Sequence, residues 1–150
     1  MFKFSKLKKS QGVSGECVSN SSFSRPPLFS SVVQAGFPSP ADDYLESYID
    51  LNEILVSNKA ATFFVKVDGD SMLGAGIFTG DMLVVDRSLT AKHGNVIVAM
   101  VEGEFTVKRF VKIRGRTFLY PENKRYKPLD VTELEEFMVW GVVTTVIHKL

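Results

Sequence analysis

The apolar positions of this chain change rhythm along its length. Residues 10–27 are dominated by Ser, Gly, Asn and Pro, with neither a helical nor a strand period, and this predicts a disordered arm. A compact apolar island follows, Leu28-Phe29-Ser30-Ser31-Val32-Val33-Gln34-Ala35-Gly36-Phe37-Pro38-Ser39-Pro40. Val32 and Val33 favour extended chain, and Pro38 and Pro40 bar a helix or a central strand. The island reads either as a short edge strand ending in a turn or as a segment that docks extended and offers the small Ala35-Gly36 bond. Between Asp42 and Leu55 the spacing of Leu45 and Ile49, behind Asp42 or Asp43 as a cap, predicts one bent helix or two short ones.

From Thr62 onward the pattern becomes β. Strands are predicted at Thr62–Val67, Met82–Asp86, Asn95–Val101, Glu104–Ile113, Thr117–Pro121 and Val139–His148, with turn signals between them. Val101-Glu102-Gly103-Glu104-Phe105 reads as a tight hairpin, and residues 132–136 as one helical turn. Many short strands joined by tight turns predict a mostly β fold, a small, largely antiparallel domain behind a flexible N-terminal arm.

Composition narrows the classes. The 150 residues are 45% apolar and 11% aromatic, enough for one domain with a real core. The formal net charge is +1, but residues 1–27 carry +4 (Lys3, Lys6, Lys8, Lys9 and Arg25 against Glu16), leaving −3 for the rest. A solvated basic tail is the ordinary meaning of such a cluster, and nucleic-acid contact the alternative. Cys17 is the single cysteine, so no internal disulfide forms, which fits a reducing compartment. The basic start runs into Ser10-Gln11-Gly12 rather than an apolar stretch, so it is not a secretory signal, and no stretch approaches the ~20 apolar residues of a membrane span. The expectation is a cytoplasmic protein with no membrane segment.

Candidate chemistry is sparse. His93 and His148 have no ligand pattern around them, and with one cysteine they offer neither a zinc site nor a Cys–His pair. Asp68 and Asp70 lack the remainder of an oxygen-rich cation loop. Two residues stay in view. Ser71 lies in Val67-Asp68-Gly69-Asp70-Ser71-Met72, where a strand gives way to a glycine-punctuated turn. Such a position presents a hydroxyl beside unpaired N–H groups, although a Gly-Asp-Ser sequence is ordinarily only a turn. Lys108 shares a strand face with Thr106 and Phe110, while Arg109 shares the other with Phe105, Val107 and Val111. A lone strand lysine ordinarily faces solvent; it serves as a general base only when desolvation lowers its pKa from about 10.4.

Taken together, Asp68-Gly69-Asp70-Ser71-Met72, Gly80-Asp81-Met82-Leu83-Val84-Val85-Asp86 and Gly103-Glu104-Phe105-Thr106-Val107-Lys108-Arg109 resemble the LexA/UmuD family of self-cleaving serine peptidases, peptidase family S24. The likeness runs from about residue 28 to 150, and several motifs in the right order make it specific. It implies a β domain of the LexA/signal-peptidase-like type over residues 36–150, with residues 1–35 an arm removed by self-cleavage. It implies Ser71 as nucleophile and Lys108 as general base. The Ser71 and Met72 backbone N–H groups would be oxyanion donors, and Ala35-Gly36 the bond cut. No cofactor or metal is implied. The implied setting is the SOS response, with cleavage stimulated by a RecA–single-stranded-DNA filament. The trimmed homodimer would serve a UmuC-like Y-family polymerase in translesion synthesis, with the sliding clamp as a further partner.

Residues 1–27 are longer and more basic than the arm of that family, and the residues before the cut lack the periodicity of a helix-turn-helix, so a repressor is not expected. The main alternative is a non-cleaving dimeric module of the same fold that regulates a polymerase or transcription. A signal peptidase would need a membrane anchor, and a free DNA-binding protein would rest on the basic arm alone.

Overall fold

A computed structural model describes residues 25–29 and 45–150. They divide into two units, one holding residues 25–29 and 45–54, the other residues 55–150. In the first unit β1 (Pro27–Phe29) pairs antiparallel with β2 (Leu45–Tyr48). Two expectations are corrected here. Pro27 begins a strand rather than closing a disordered arm, and Leu45–Tyr48 is a strand where a helix was expected, because pairing with β1 overrides a short local period. The helix, α1, is only Leu51–Leu55. Asp50 starts it: its carboxylate accepts the Asn52 N–H at 2.8 Å. Asp42, Asp43 and the Ala35-Gly36 bond lie outside the described residues.

The second unit is built on β3 (Thr62–Lys66), β4 (Met82–Asp86), β5 (Val96–Val101), β6 (Glu104–Ile113), β7 (Arg116–Tyr120), β8 (Leu129–Asp130) and β9 (Phe137–Ile147). They form one seven-stranded sheet in the order β3-β4-β9-β5-β6-β7-β8. All its pairings are antiparallel. Thus the β-rich antiparallel class read from the sequence is the observed one, and the six predicted strands fall within two residues of observed ones. The two-residue β8 was not anticipated, and residues 132–136 form turns rather than a helical turn. Among the described residues no helix is long and apolar enough to cross a membrane.

The sheet buries both faces. On one, Val67, Met72, Ile77, Leu83, Val85, Val98 and Val107 pack together, flanked by Phe63, Phe105 and Trp140. On the other lie Ile97, Ala99, Phe110, Leu119, Val131 and Val142. Along β5 the alternation Ile97, Val98, Ala99 sends successive side chains to opposite cores, as strand geometry requires. The register of β6 is fixed at both ends by two-residue turns. Glu102 and Gly103 at one end, and Arg114 and Gly115 at the other, all have positive φ. This is the type I′ geometry that matches strand twist. A one-residue slip would carry Lys108 to the wrong face, so these turns set where its ammonium goes.

Candidate active site

Ser71 sits on the loop between β3 and β4. The loop leaves β3 still laddered to the start of β4: the Val67 N–H donates to Asp81 O at 2.8 Å and the Gly80 N–H to Val67 O at 2.9 Å. Thr79 then closes it, its hydroxyl donating to Gly69 O at 2.9 Å and accepting the Gly69 N–H at 3.0 Å. Immediately after Ser71, Met72 is buried among the apolar residues of the first face, and a 3-10 turn at Leu73–Ala75 follows. The serine is therefore held between an anchored methionine and a strand end.

A second loop, after β7, runs alongside. The Glu122 N–H donates to Ser71 O at 2.8 Å, the Gly74 N–H donates to Glu122 O at 2.6 Å, and Asn123 Nδ2 donates to Asp70 O at 2.8 Å. The two backbones approach so closely that a Cβ on Gly74 would lie 2.6 Å from Glu122 O. Asp70, beside the serine, accepts from the Tyr126 hydroxyl and from Arg125 at 3.0 Å. These bonds hold its carboxyl below the usual carboxylate range, the Tyr126 hydrogen bond foremost.

Lys108 reaches this loop from β6. Its Nζ donates to Ser71 Oγ at 2.9 Å, to Thr106 Oγ1 at 2.8 Å and to Val107 O at 3.0 Å. Thr106 was placed on the same strand face by the period of two, and the contact agrees. The side chain is not on an open solvent face: Lys108 is half-buried, and burial lowers its pKa from the ordinary lysine value. Three acceptors match the three protons of an ammonium. When one proton leaves, the amine keeps donating to Thr106 and Val107 and turns its lone pair to the Ser71 hydroxyl. The arrangement can therefore make Ser71 a nucleophile with Lys108 as acceptor of its proton. The sequence sets Thr106 on the face of Lys108 but gives no sign that it and Val107 O accept from the lysine Nζ.

An open cleft of about 240 Å³ runs between Val67–Met72 and Phe105–Lys108, with Tyr126 on its wall. Among the described residues the Ser71 and Met72 N–H groups donate to no protein acceptor, the condition an oxyanion site requires. The remaining candidates are placed elsewhere. His148 Nδ1 lies 2.6 Å from the carboxylate of Asp81, which is only 3% exposed. His93 Nδ1 lies against the Lys112 backbone at 3.1 Å. Neither ring bonds Ser71 or Lys108, and Asp70 is engaged by Tyr126 and Arg125. Ala35 and Gly36 lie outside the described residues.

Comparison with known proteins agrees with the motifs. The peptidase S24-like family description matches residues 27–144. Protein ImpA of Salmonella typhimurium is 46% identical over 125 residues, 82% of this chain and 83% of ImpA. Protein MucA of Escherichia coli is 44% identical over 119 residues, 79% of this chain and 81% of its own. LexA repressor 1 of Geobacter sulfurreducens is 41% identical over 100 residues, 67% of this chain but 49% of that protein.

Proposed function

Because the chain belongs to the peptidase S24-like family, we propose that it is a serine peptidase that cuts its own Ala35-Gly36 bond, with Ser71 as nucleophile and Lys108 as general base. The observation that carries this reading is the 2.9 Å bond between Lys108 Nζ and Ser71 Oγ, made by a lysine whose pKa is lowered by burial. Neutral Lys108 takes the Ser71 proton as Oγ attacks the Ala35 carbonyl carbon. The tetrahedral oxyanion is met by the Ser71 and Met72 N–H groups. Collapse breaks the C–N bond, Lys108 returns the proton to the Gly36 amine, and residues 1–35 remain as an ester on Ser71 until water, deprotonated by Lys108, releases them. The products are an arm of residues 1–35 and a domain of residues 36–150.

The setting is that of UmuD-type proteins in the SOS response. A RecA–single-stranded-DNA filament stimulates the cut, and the trimmed homodimer acts with a UmuC-like error-prone polymerase in the cytoplasm. Ser71 and Lys108 both belong to this chain and lie in hydrogen-bond contact, which supports a stimulus that shifts the arm toward a docked state rather than one that supplies catalytic groups. The experiment is incubation of the purified chain across neutral to alkaline pH, alone and with RecA filaments, followed by intact mass measurement. A fragment beginning at Gly36, absent from the Ser71→Ala and Lys108→Ala chains, is the expected result. Persistent full-length protein in both conditions would sink the peptidase reading in favour of a non-cleaving module.

A further inference from the structure

We propose that Tyr126 is a positioning residue of the Ser71 site, acting through Asp70: its phenol holds the carboxylate next to the nucleophile and so fixes Ser71 and the two N–H groups beside it. The proposal rests on the peptidase reading above. Tyr126 is 45% exposed, so core packing does not account for its placement. Its hydroxyl nevertheless donates to Asp70, and its ring forms part of the wall of the cleft that holds Ser71 and Lys108.

Three ties from residues 122–123 secure the backbone of residues 70–74: Glu122 N to Ser71 O, Gly74 N to Glu122 O and Asn123 Nδ2 to Asp70 O. Of these only the Asn123 amide also acts on the Asp70 carboxylate, as a minor influence; the phenol and Arg125 hold that side chain. The Arg125 pair is the weaker of the two, because its guanidinium side chain is 78% exposed and exposed pairs contribute little. An O–H donor to a carboxylate belongs to the strong class. Asp70 and Arg125 bond or pair with Tyr126, and Asp68 and Lys108 share its cleft. Ionising the phenol would give up its hydrogen bond to Asp70, desolvate a charge and set it against that carboxylate, and together these raise its pKa. Desolvation lowers that of Lys108. The two shifts run in opposite directions, the phenol holding its proton to higher pH and the lysine releasing its proton at lower pH.

The test compares two rates on the full chain from neutral pH to about pH 11: self-cleavage, and labelling of Ser71 by a small fluorophosphonate, both read by intact mass. Tyr126→Phe is expected to lower both plateau rates about tenfold while the midpoint of the rise, set by Lys108, stays in place. Asp70→Ala should lose at least as much, Asp70→Asn should recover part of it because the amide oxygen still accepts the phenol, and Tyr126→Phe added to Asp70→Ala should cost nothing further. Wild-type rates in Tyr126→Phe overturn the proposal. So does slowed cleavage with unchanged labelling, which would place Tyr126 in arm docking, and so does a deficit that vanishes well below the variant's melting transition. A wild-type chain that neither cleaves nor labels overturns the peptidase reading and this one together, whereas a wild-type chain that does both leaves Tyr126→Phe to decide.

Discussion

Gly74 tests whether the pairing of the two loops sets both stability and chemistry. A Cβ there would stand 2.6 Å from Glu122 O, while ordinary contact begins at 3.4 Å, so Gly74→Ala must part the backbones by about 0.8 Å. The bond from the Gly74 N–H to Glu122 O at 2.6 Å and the bond from the Glu122 N–H to Ser71 O at 2.8 Å lie at this contact. Stretched by that amount, both reach the limit beyond which a hydrogen bond is lost. At roughly 1–1.5 kcal/mol each the cost is about 2–3 kcal/mol. For a domain of this size that lowers the melting midpoint by about 10–20 °C. Displacing Ser71 by a large fraction of an ångström should also slow self-cleavage about a hundredfold, measured where the variant is still folded.

Fluorescence of Trp140, the single tryptophan, follows the melt, and intact mass follows the cut. Gly76→Ala is the control. A Cβ there meets nothing within 4 Å, but φ is +73°, so its cost is conformational, about 1 kcal/mol, without a catalytic defect of comparable size. If Gly74→Ala melts and cleaves like wild type, or if Gly76→Ala slows cleavage as much, close approach to Glu122 does not position the serine.

Three further outcomes follow from the titrating groups. The first-order rate of self-cleavage should rise with pH and level off below 10.5, because burial depresses the Lys108 pKa; a plateau reached only at or above 10.5 would remove desolvation from the argument. Lys108→Met should abolish cleavage yet raise the melting midpoint at neutral pH by a few degrees. The folded state binds the lysine proton less tightly than the unfolded one, so the wild type carries a penalty at low pH that fades as pH rises through the folded pKa toward 10.5, and the gap between the two proteins should narrow over that window. Asp81 accepts the Phe78 N–H at 2.8 Å and faces His148, and both lower its pKa, the Phe78 bond first. Its contribution is present above the ordinary value of 3.8 and lost as pH falls through the lower folded one. Asp81→Asn should therefore be less stable than wild type in urea titrations at neutral pH, with the difference closing in acid; a pH-independent gap would refute the linkage.

The alternation of apolar residues carried enough information to place most of the sheet and the strand bearing Lys108. In Glu104–Ile113 the period of two, bounded by Glu102-Gly103 and Arg114-Gly115, specifies both the strand and its facing, and the structure has the same bounds. Tertiary partners decided what the local pattern left open. Leu45–Tyr48 has a helical spacing on paper, but β1 gives its backbone a partner, and the helix begins only where Asp50 caps it. The burial of Lys108 was equally hidden, because a strand lysine reads as solvent-facing until the elements packed across it are known.

The largest gap concerns the loop after β7, where Pro121-Glu122-Asn123 reads as a turn and nothing more and Arg125 and Tyr126 carry no signal of their own. Its donors and acceptors are ordinary, and their significance lies in a separation of some fifty positions, from Asp70 to Asn123 and Tyr126, that no local period encodes. Gly74 offered the one hint, since a glycine in a turn can mean either a required φ or a required approach. At Gly76 φ is positive; at Gly74 the neighbour is another backbone. A sequence cannot distinguish these cases, yet they have opposite consequences for Ser71. One glycine merely lets the chain bend, while the other allows a distant loop to grip the backbone that carries the hydroxyl. The part of the site most exposed in the sequence, Ser71 with Lys108, is thus the part whose geometry depends most on residues the sequence did not mark.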